Sequence, residues 1–424
     1  MARGYNRLPL AAALLAAASS ANAGISIPAG DWTLDIGGVV NAFYTNVKAT
    51  GGPSASNIGT GLLPNVLAVS GSTRQNDLDV TFVIAIDPGG YTNTGLGTAL
   101  GQGAQENRQA FFTFGDKSWG TVKIGKDLGV FASDAILNDM TLLGVGDGGK
   151  GIGGSTATTT LGGIGAGYIY ADWKEQIAYT TPNMNGFSAT VAVTQAYNAV
   201  SASNWANTAA VSPSGAAGTA AVSPSAVAGA LGAATGSYSA SGGGSEPAFE
   251  GKISYDFAAD AAKGHVWASG YSQKIQNILV QGSTTSAGST TANVADIGAT
   301  VNVAGFGLTG YYYSGSGVGS LSMLNSGLSQ TGKKRDSSGG YVQATYALPT
   351  ATKIGVAYGE SKLDADSTDT TFKGTKNDRW TVGAYHPLTK HVNLVAEYNS
   401  DKTQAAGSAE TTTNTVSLGG ILFF

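Results

Sequence analysis

The placement of charge along the alternating segments of this chain constrains its fold more than any other feature. In WTLDIGGVVNAFY, Trp32, Leu34, Ile36, Val40, Ala42 and Tyr44 share one parity, while Thr33, Asp35 and Asn41 occupy the other. This is the two-residue period of a strand with one apolar face. The pattern recurs in DLDVTFVIAI, where Leu78, Val80, Phe82, Ile84 and Ile86 stand opposite Asp77, Asp79 and Thr81. Lys123, Lys252, Asp296, Lys353, Arg379 and Glu397 likewise fall opposite the large apolar residues of their own segments. Arg108, Glu175 and Glu360 depart from the rule, the first and last of them near segment ends. A Lys or Arg facing lipid near the midplane costs about 2–4 kcal/mol, so a strand crossing a membrane must keep charge on its other face. The polar parity also carries Asn41, Gln109, Thr113, Asn302, Gln343 and Asn393. These are poor material for a sandwich core and good material for a wetted wall. Backbone groups in lipid must all be paired, so such strands have to close into a barrel.

Composition agrees with a chain whose polar and apolar residues are interleaved one by one. Only 12% of the 424 residues are charged, 63 are Gly, none is Cys, and mean hydropathy is near zero. Disulfide and thiolate chemistry are thereby excluded. At the N-terminus, Arg3 and Arg7 precede an apolar run from Leu8 to Ala18, and ANA at 21–23 supplies small residues. This predicts a signal peptide over 1–23, cut between Ala23 and Gly24, and an exported mature chain over 24–424. Loss of the two arginines takes the formal charge from −4 to −6, which gives no support to nucleic-acid binding. Beyond the leader, no apolar run approaches the roughly 20 residues of a transmembrane helix.

From Trp32 to Tyr44, twelve steps of about 3.3 Å at a tilt of about 40° rise roughly 30 Å, the span between two aromatic girdles. Fifteen such segments are clear, and a weaker one, PNVLAVSG, brings both termini to the same side. The expected fold is therefore an all-β, 16-stranded antiparallel transmembrane barrel, with 18 strands as the alternative if the loop at 197–248 hides a hairpin. Tight turns alternate with long Gly, Ser, Thr and Asn-rich segments such as 88–107, 274–292 and 314–339, the asymmetry of short periplasmic turns and long external loops. The tract at 197–248 repeats AAVSPS inside Ala, Ser and Gly and reads as a low-complexity external loop.

The strand-turn-strand RQAFFTFGDKSWGTVKIGKDLG, the turn TTPNMNGFSATVAV and the ending SLGGILFF together resemble the general porins of Gram-negative outer membranes. The resemblance is closest to a branch whose segment after the fifth strand reads like GKDLGVFASDAILNDMTLLGVG. It implies a homotrimer of 16-stranded barrels with the third external loop folded back into the lumen. It also implies that Phe424 serves as the signal read by the outer-membrane assembly machinery. This chain lacks the Pro-Glu-Phe-Gly-Gly loop type of the enterobacterial members, so their constriction residues do not carry over.

Two motifs invite other chemistry. GVGDGGK at 144–150 fits both G-x-G-x-x-G and the first seven positions of a phosphate-binding loop, but position 151 is Gly where a Ser or Thr is needed, and no helix-forming sequence follows. A barrel-borne hydrolase would need Ser, His and acid together. His265, His386 and His391 have no catalytic spacing and are too dispersed for a metal, so each reads as a polar interface residue. Trp32, Tyr44, Tyr179, Tyr255, Tyr312, Trp380 and Tyr398 lie on the apolar parity as girdle residues, and the sequence shows no ladder of lumen aromatics for sugar stacking.

The expected function is a passive, water-filled diffusion channel for small hydrophilic solutes, non-enzymatic and without cofactor or metal. A channel selective for one anion, sugar or carboxylate is the alternative. The expected partners are outer-membrane lipids and lipopolysaccharide, the assembly machinery and further copies of the chain. In DLGVFASDAILNDMTLLGVG, Ile136, Leu137, Met140 and Leu143 recur at helical spacing. We expect a constriction loop over about 127–172 that lays this apolar face on the wall and turns carboxylates to the channel. Asp127, Asp134 and Asp139 are its candidate acids; Lys123, Lys353, Arg379, Asp77 and Asp79 are the candidate wall charges. The acid surplus predicts a weak preference for cations.

Overall fold

The computed structural model describes residues 24–88, 105–148, 159–197, 200–201, 238–239, 246–259, 261–276, 278, 288–329 and 331–424. The expected signal peptide and Ala23 lie outside them, as does most of the low-complexity tract. The strands are β1 (Ile25–Ala29), β2 (Trp32–Ala49), β3 (Ser54–Gly59), β4 (Val66–Gln75), β5 (Leu78–Pro88), β6 (Gln105–Asp116), β7 (Gly120–Leu128), β8 (Trp173–Thr180) and β9 (Phe187–Thr194). They continue as β10 (Val200–Ser201), β11 (Tyr238–Ser239), β12 (Ala248–Ala258), β13 (Ala262–Ile275), β14 (Thr290–Val303), β15 (Phe306–Ser316) and β16 (Asp336–Ala347). The last four are β17 (Lys353–Leu363), β18 (Thr375–Pro387), β19 (Val392–Ala405) and β20 (Thr411–Phe423).

Each barrel strand runs antiparallel to its neighbour, and β20 returns to pair with β2, so the sheet closes. The closed barrel has 16 positions. Two of them are shared by short pieces. The first part of β2 pairs with β1 and the rest with β20; on its other edge β2 meets β4 first and then β3. The break between β3 and β4 has a cause in Asn41. Its side-chain amide donates to Leu63 O and Pro64 O, and its oxygen accepts from Gly61 N. The chain is thereby drawn inward, and Leu62 and Leu63 are buried. Strands β10 and β11 form a separate two-residue ladder, so the described part of the low-complexity loop adds no further strand to the barrel.

The wall obeys the parity read from the sequence. Val40, Ile84, Ile177, Val191, Ile253, Tyr312, Val342, Trp380 and Leu418 are exposed on the outside, whereas Gln109, Thr113, Glu250, Asp296, Glu397 and Thr415 are buried within. No described helix is long and apolar enough to cross a membrane; the crossing elements are strands. The interior is far from empty. A core of buried side chains inside the barrel joins Phe131, Ala135, Ile136, Ile164 and Tyr168 to the inward-facing Trp267, Tyr271, Tyr311, Tyr313 and Tyr341.

Candidate functional site: the lumen and its inward loop

The segment between β7 and β8, here L3, supplies Phe131, Ala135, Ile136, Ile164 and Tyr168 to that core. It contains α1 (Ser133–Leu137) and a 3-10 turn (Met140–Leu143) capped by Asp139, whose carboxylate accepts from Thr141 N at 2.9 Å. The expected helical face is buried at Ile136 and Met140, but the pattern breaks at Asn138, so one amphipathic helix becomes two short turns.

A loop crossing a lumen has backbone donors to satisfy, and the wall meets them with carboxylates. Glu250 on β12 accepts from Val130 N (2.6 Å), Phe131 N (2.8 Å) and the Lys174 ammonium (2.6 Å). On the far side, Glu397 on β19 accepts from Val145 N (2.9 Å), Gly146 N (2.8 Å) and the Tyr385 hydroxyl (2.7 Å). Between them, Tyr341 donates to Ala135 O (2.8 Å), and Gln343 both accepts from Met140 N (2.9 Å) and donates to Asn138 O (2.7 Å). The return limb is held by Ser361, whose hydroxyl accepts from Gly167 N (3.0 Å), and by Asn377, which donates to Gly165 O (3.2 Å). L3 is therefore tied to β12, β16, β17, β18 and β19.

The candidate acids of L3 do not face Lys123 across an opening. Asp134 bonds the Lys252 ammonium at 2.6 Å and approaches His265 Nε2 at 3.3 Å. Burial disfavours ionisation of Asp134, but the charges and hydrogen bonds of Lys252 and His265 outweigh it and hold the carboxyl well below the usual carboxylate range. Asp139 accepts from the Tyr168 hydroxyl at 2.8 Å and lies 3.5 Å from Arg379. Burial, followed by the charge of Asp139, raises the Tyr168 hydroxyl well above its ordinary value, so it stays a donor. Asp127 is buried at the end of β7 between Gln109 and Lys123. The physical reason for the difference is desolvation: a carboxylate in a filled interior needs an opposite charge at contact, and the wall supplies one to each.

The other candidate wall charges divide by height. Arg379 is buried beneath L3 and donates to Gly162 O. Lys353 begins β17, with its ammonium 5.6 Å from the Tyr385 ring. Asp77 is an exposed turn residue with φ 62°, and Asp79 is exposed and paired with Arg74 at 2.7 Å. Both sit at the short-turn rim, away from L3; Asp77 lies in the turn itself because β5 begins at Leu78, one residue later than the alternation suggests.

Sequence reasoning missed Glu250, Tyr341, Gln343 and Glu397 as loop anchors. Their lumen parity was legible; their pairing with a distant loop was not. It also missed the lumen aromatics. Trp267, Tyr311 and Tyr341 stack in sequence at 6.4 and 5.6 Å between ring centroids, and Tyr168 of L3 closes on Tyr341 at 5.8 Å. All are buried, so they form the bed of L3 and not a surface for sugars. His265 bonds Asp256 (3.0 Å), and His386 bonds Thr352 (2.9 Å). They serve different parts of the wall. Among the described residues no group of His, Cys, Asp or Glu could hold a metal.

At the seam, the last residue joins the first long strand. Gly38 N donates to Phe424 O at 2.8 Å, and Phe424 N to Gly38 O at 3.1 Å. A Cβ on Gly38 would lie 2.3 Å from Val66 O and 2.7 Å from the Phe424 ring.

A closed 16-stranded barrel with an apolar outside and a polar inside, holding an inward loop, is an outer-membrane channel for diffusion of small solutes. The family described as Gram-negative porin matches residues 10–406, and the chain belongs to that family. Among solved structures it is similar to the outer-membrane channel DcaP of Acinetobacter baumannii, at 15% identity over 95% of this chain and 100% of that one, with a TM-score of 0.63. It is also similar to OmpT of Vibrio cholerae in its trimer form (12% identity, 93% and 99% covered, TM-score 0.51). Salmonella typhi OmpF in complex with daunomycin matches at 14% identity over 94% and 100%, TM-score 0.54. A comparison with curated proteins finds no match.

Proposed function

We propose that the chain is a passive, non-enzymatic, homotrimeric channel of the outer membrane whose eyelet is set by L3 against the barrel wall. The observation that carries this reading is the anchoring of L3 by Glu250 near its start and by Glu397 at Val145 and Gly146 on the far side, which fixes the loop across the lumen. A fixed loop narrows the bore, and the narrowest section decides which solutes pass. The trimer is supported by the fold shared with OmpT, whose structure is described as a trimer form. Small hydrophilic solutes, lipopolysaccharide and the assembly machinery are its partners, with Phe424 at the closing seam as the assembly signal. Because Asp134 and Asp139 face Lys252 and Arg379, their charges largely cancel, leaving a weak cation preference from the acidic total. Planar-bilayer recording tests the reading. Purified protein should insert as long-lived open channels with a small reversal potential of cationic sign; protein that folds but conducts nothing refutes it.

A further inference from the structure

The loop between β15 and β16, residues 317–335, has a composition that fits no external loop. VGSLSMLNSGL places Val318, Leu321, Met323, Leu324 and Leu328 within eleven residues, an apolar density that would be costly in water. The structure accounts for it. From Gly317 to Ser329 every residue except Asn325 is buried, and the five apolar side chains join the same core as Phe131, Ile164 and Tyr168 of L3. The segment expected as an external loop at 314–339 is thus turned into the barrel over most of its length.

This loop, L6, rests directly on L3. Tyr170 N donates to Leu321 O at 2.8 Å. A Cβ on Gly165 of L3 would come within 2.5 Å of the Leu321 side chain, and Gly165 has φ +78°, so the close approach requires glycine there. The far end of L6 is clamped by Arg335, whose side chain is 1% exposed. Its guanidinium donates to both carboxylate oxygens of Asp369 at 2.8 and 2.7 Å and to Ser326 O at 3.0 Å. It also lies 3.9 Å from the centroid of the Phe372 ring. Asp369 and Phe372 belong to the next loop, between β17 and β18. A two-pronged Arg–carboxylate pair fixes orientation as well as distance, so Arg335 ties L6 to that loop and holds its apolar half down in the lumen.

We infer that L6 is a second constriction loop, seated on L3 and locked by the Arg335–Asp369 brace, and that size exclusion is set by the two loops together. Arg335 is then a positioning residue for permeation. It need not touch a solute; it determines how much of the bore is left beside L3. The inference rests on the channel reading above, and the experiment separates the two.

The test uses the wild-type protein, Arg335→Leu, and a variant in which residues 318–334 are replaced by a short Gly-Ser turn. All three are compared as folded trimers by their heat-dependent mobility in detergent gels. Readouts are single-channel conductance and liposome swelling with neutral sugars of increasing size. Conductance follows the cross-section of the narrowest section, so we expect the shortened variant to rise by at least about 1.5-fold and to admit larger sugars. Arg335→Leu should move in the same direction by less, and Arg335→Lys, which keeps the charge but loses the fork, should lie between it and wild type. Wild-type protein without channels would refute the channel reading. Folded, shortened protein with wild-type conductance and sugar rates would overturn the role of L6. A shortened variant that widens the pore while Arg335→Leu does not would overturn the role of the brace.

Discussion

Replacing Glu250 by Gln should loosen L3 without disturbing the barrel, and the expected size follows from what Glu250 touches. Its carboxylate is fully buried and serves Val130 N, Phe131 N and Lys174. Gln keeps the volume and one acceptor oxygen for the two amides, but its NH2 group then faces an ammonium 2.6 Å from the replaced oxygen. Lys174 is buried and lies 4.9 and 5.4 Å from the rings of Tyr197 and Tyr271, which attract the cation only modestly. Each hydrogen bond to a charged acceptor is worth about 1.5–3 kcal/mol, and removing one partner of a buried ion pair costs about 3–5 kcal/mol. Taking the latter as the net loss, the population of detached L3 rises by roughly two to three and a half orders of magnitude, at about 1.4 kcal/mol per factor of ten.

The assay is single-channel recording of Glu250→Gln, with limited proteolysis of L3 alongside it. Wild-type channels should be quiet, and the variant should flicker to a larger conductance level and be cut between 129 and 172. Adding Lys174→Met removes the stranded charge, so the double variant should recover much of the quiet behaviour. A folded Glu250→Gln channel with wild-type noise, conductance and protease resistance would refute the claim that this carboxylate holds the loop.

Gly38→Val should strike assembly and not conductance: the new side chain collides with Val66 O and with Phe424, so the yield of folded, heat-modifiable barrel in a detergent-gel assay should fall several-fold while the channels that form conduct normally. The second prediction concerns pH. Because the Asp134 carboxyl is held below its unfolded value, its contribution to L3 docking is complete above about pH 4 and is lost only as pH falls through the lower, folded value. Conductance recorded from pH 7 down to about pH 4 should therefore show no step from Asp134, and Lys252→Met should move the onset of flicker to higher pH.

The fold was legible because its rule is local. Whether a residue faces lipid or lumen depends on a period of two, and each segment carries its own test in the cost of a charge in lipid. Asp35, Lys252, Arg379 and Glu397 fell on the lumen side one strand at a time, and the barrel followed. The weak strand at 66–75 was harder to see because its pairing with β2 is shared with β3, an arrangement fixed by the Asn41 amide and not by any periodicity. The site was less legible for a corresponding reason. Asp134 and Lys252 are 118 positions apart, and Val145 and Glu397 are 252 apart. No local pattern marks such pairs. The apolar content of 318–328 was visible, but a Ser, Gly and Asn background masked it, and loops on one rim of a barrel are expected to be external.

The charges of this lumen therefore cannot be summed as though each faced the solute. Alternation places them inside, but a filled interior then sorts them by contact, and a carboxylate paired with a loop amide or a wall ammonium contributes little field at a distance. GVGDGGK shows the same logic from the backbone side. Its glycines make successive amides available, as they would for a phosphate, and Val145 N and Gly146 N do converge on an anion; the anion is Glu397 of the barrel's own wall. The motif that failed as a nucleotide site is a seat for a carboxylate. Its removal by Glu397→Gln should leave both amides with a weaker acceptor and loosen the middle of L3, as Glu250→Gln loosens its start. If the two anchors act on one rigid loop that leaves the wall as a unit, their free energies add and the effect of the double variant on flicker should equal the product of the single effects. Effects that merely sum would mean that the two anchored segments of L3 move separately.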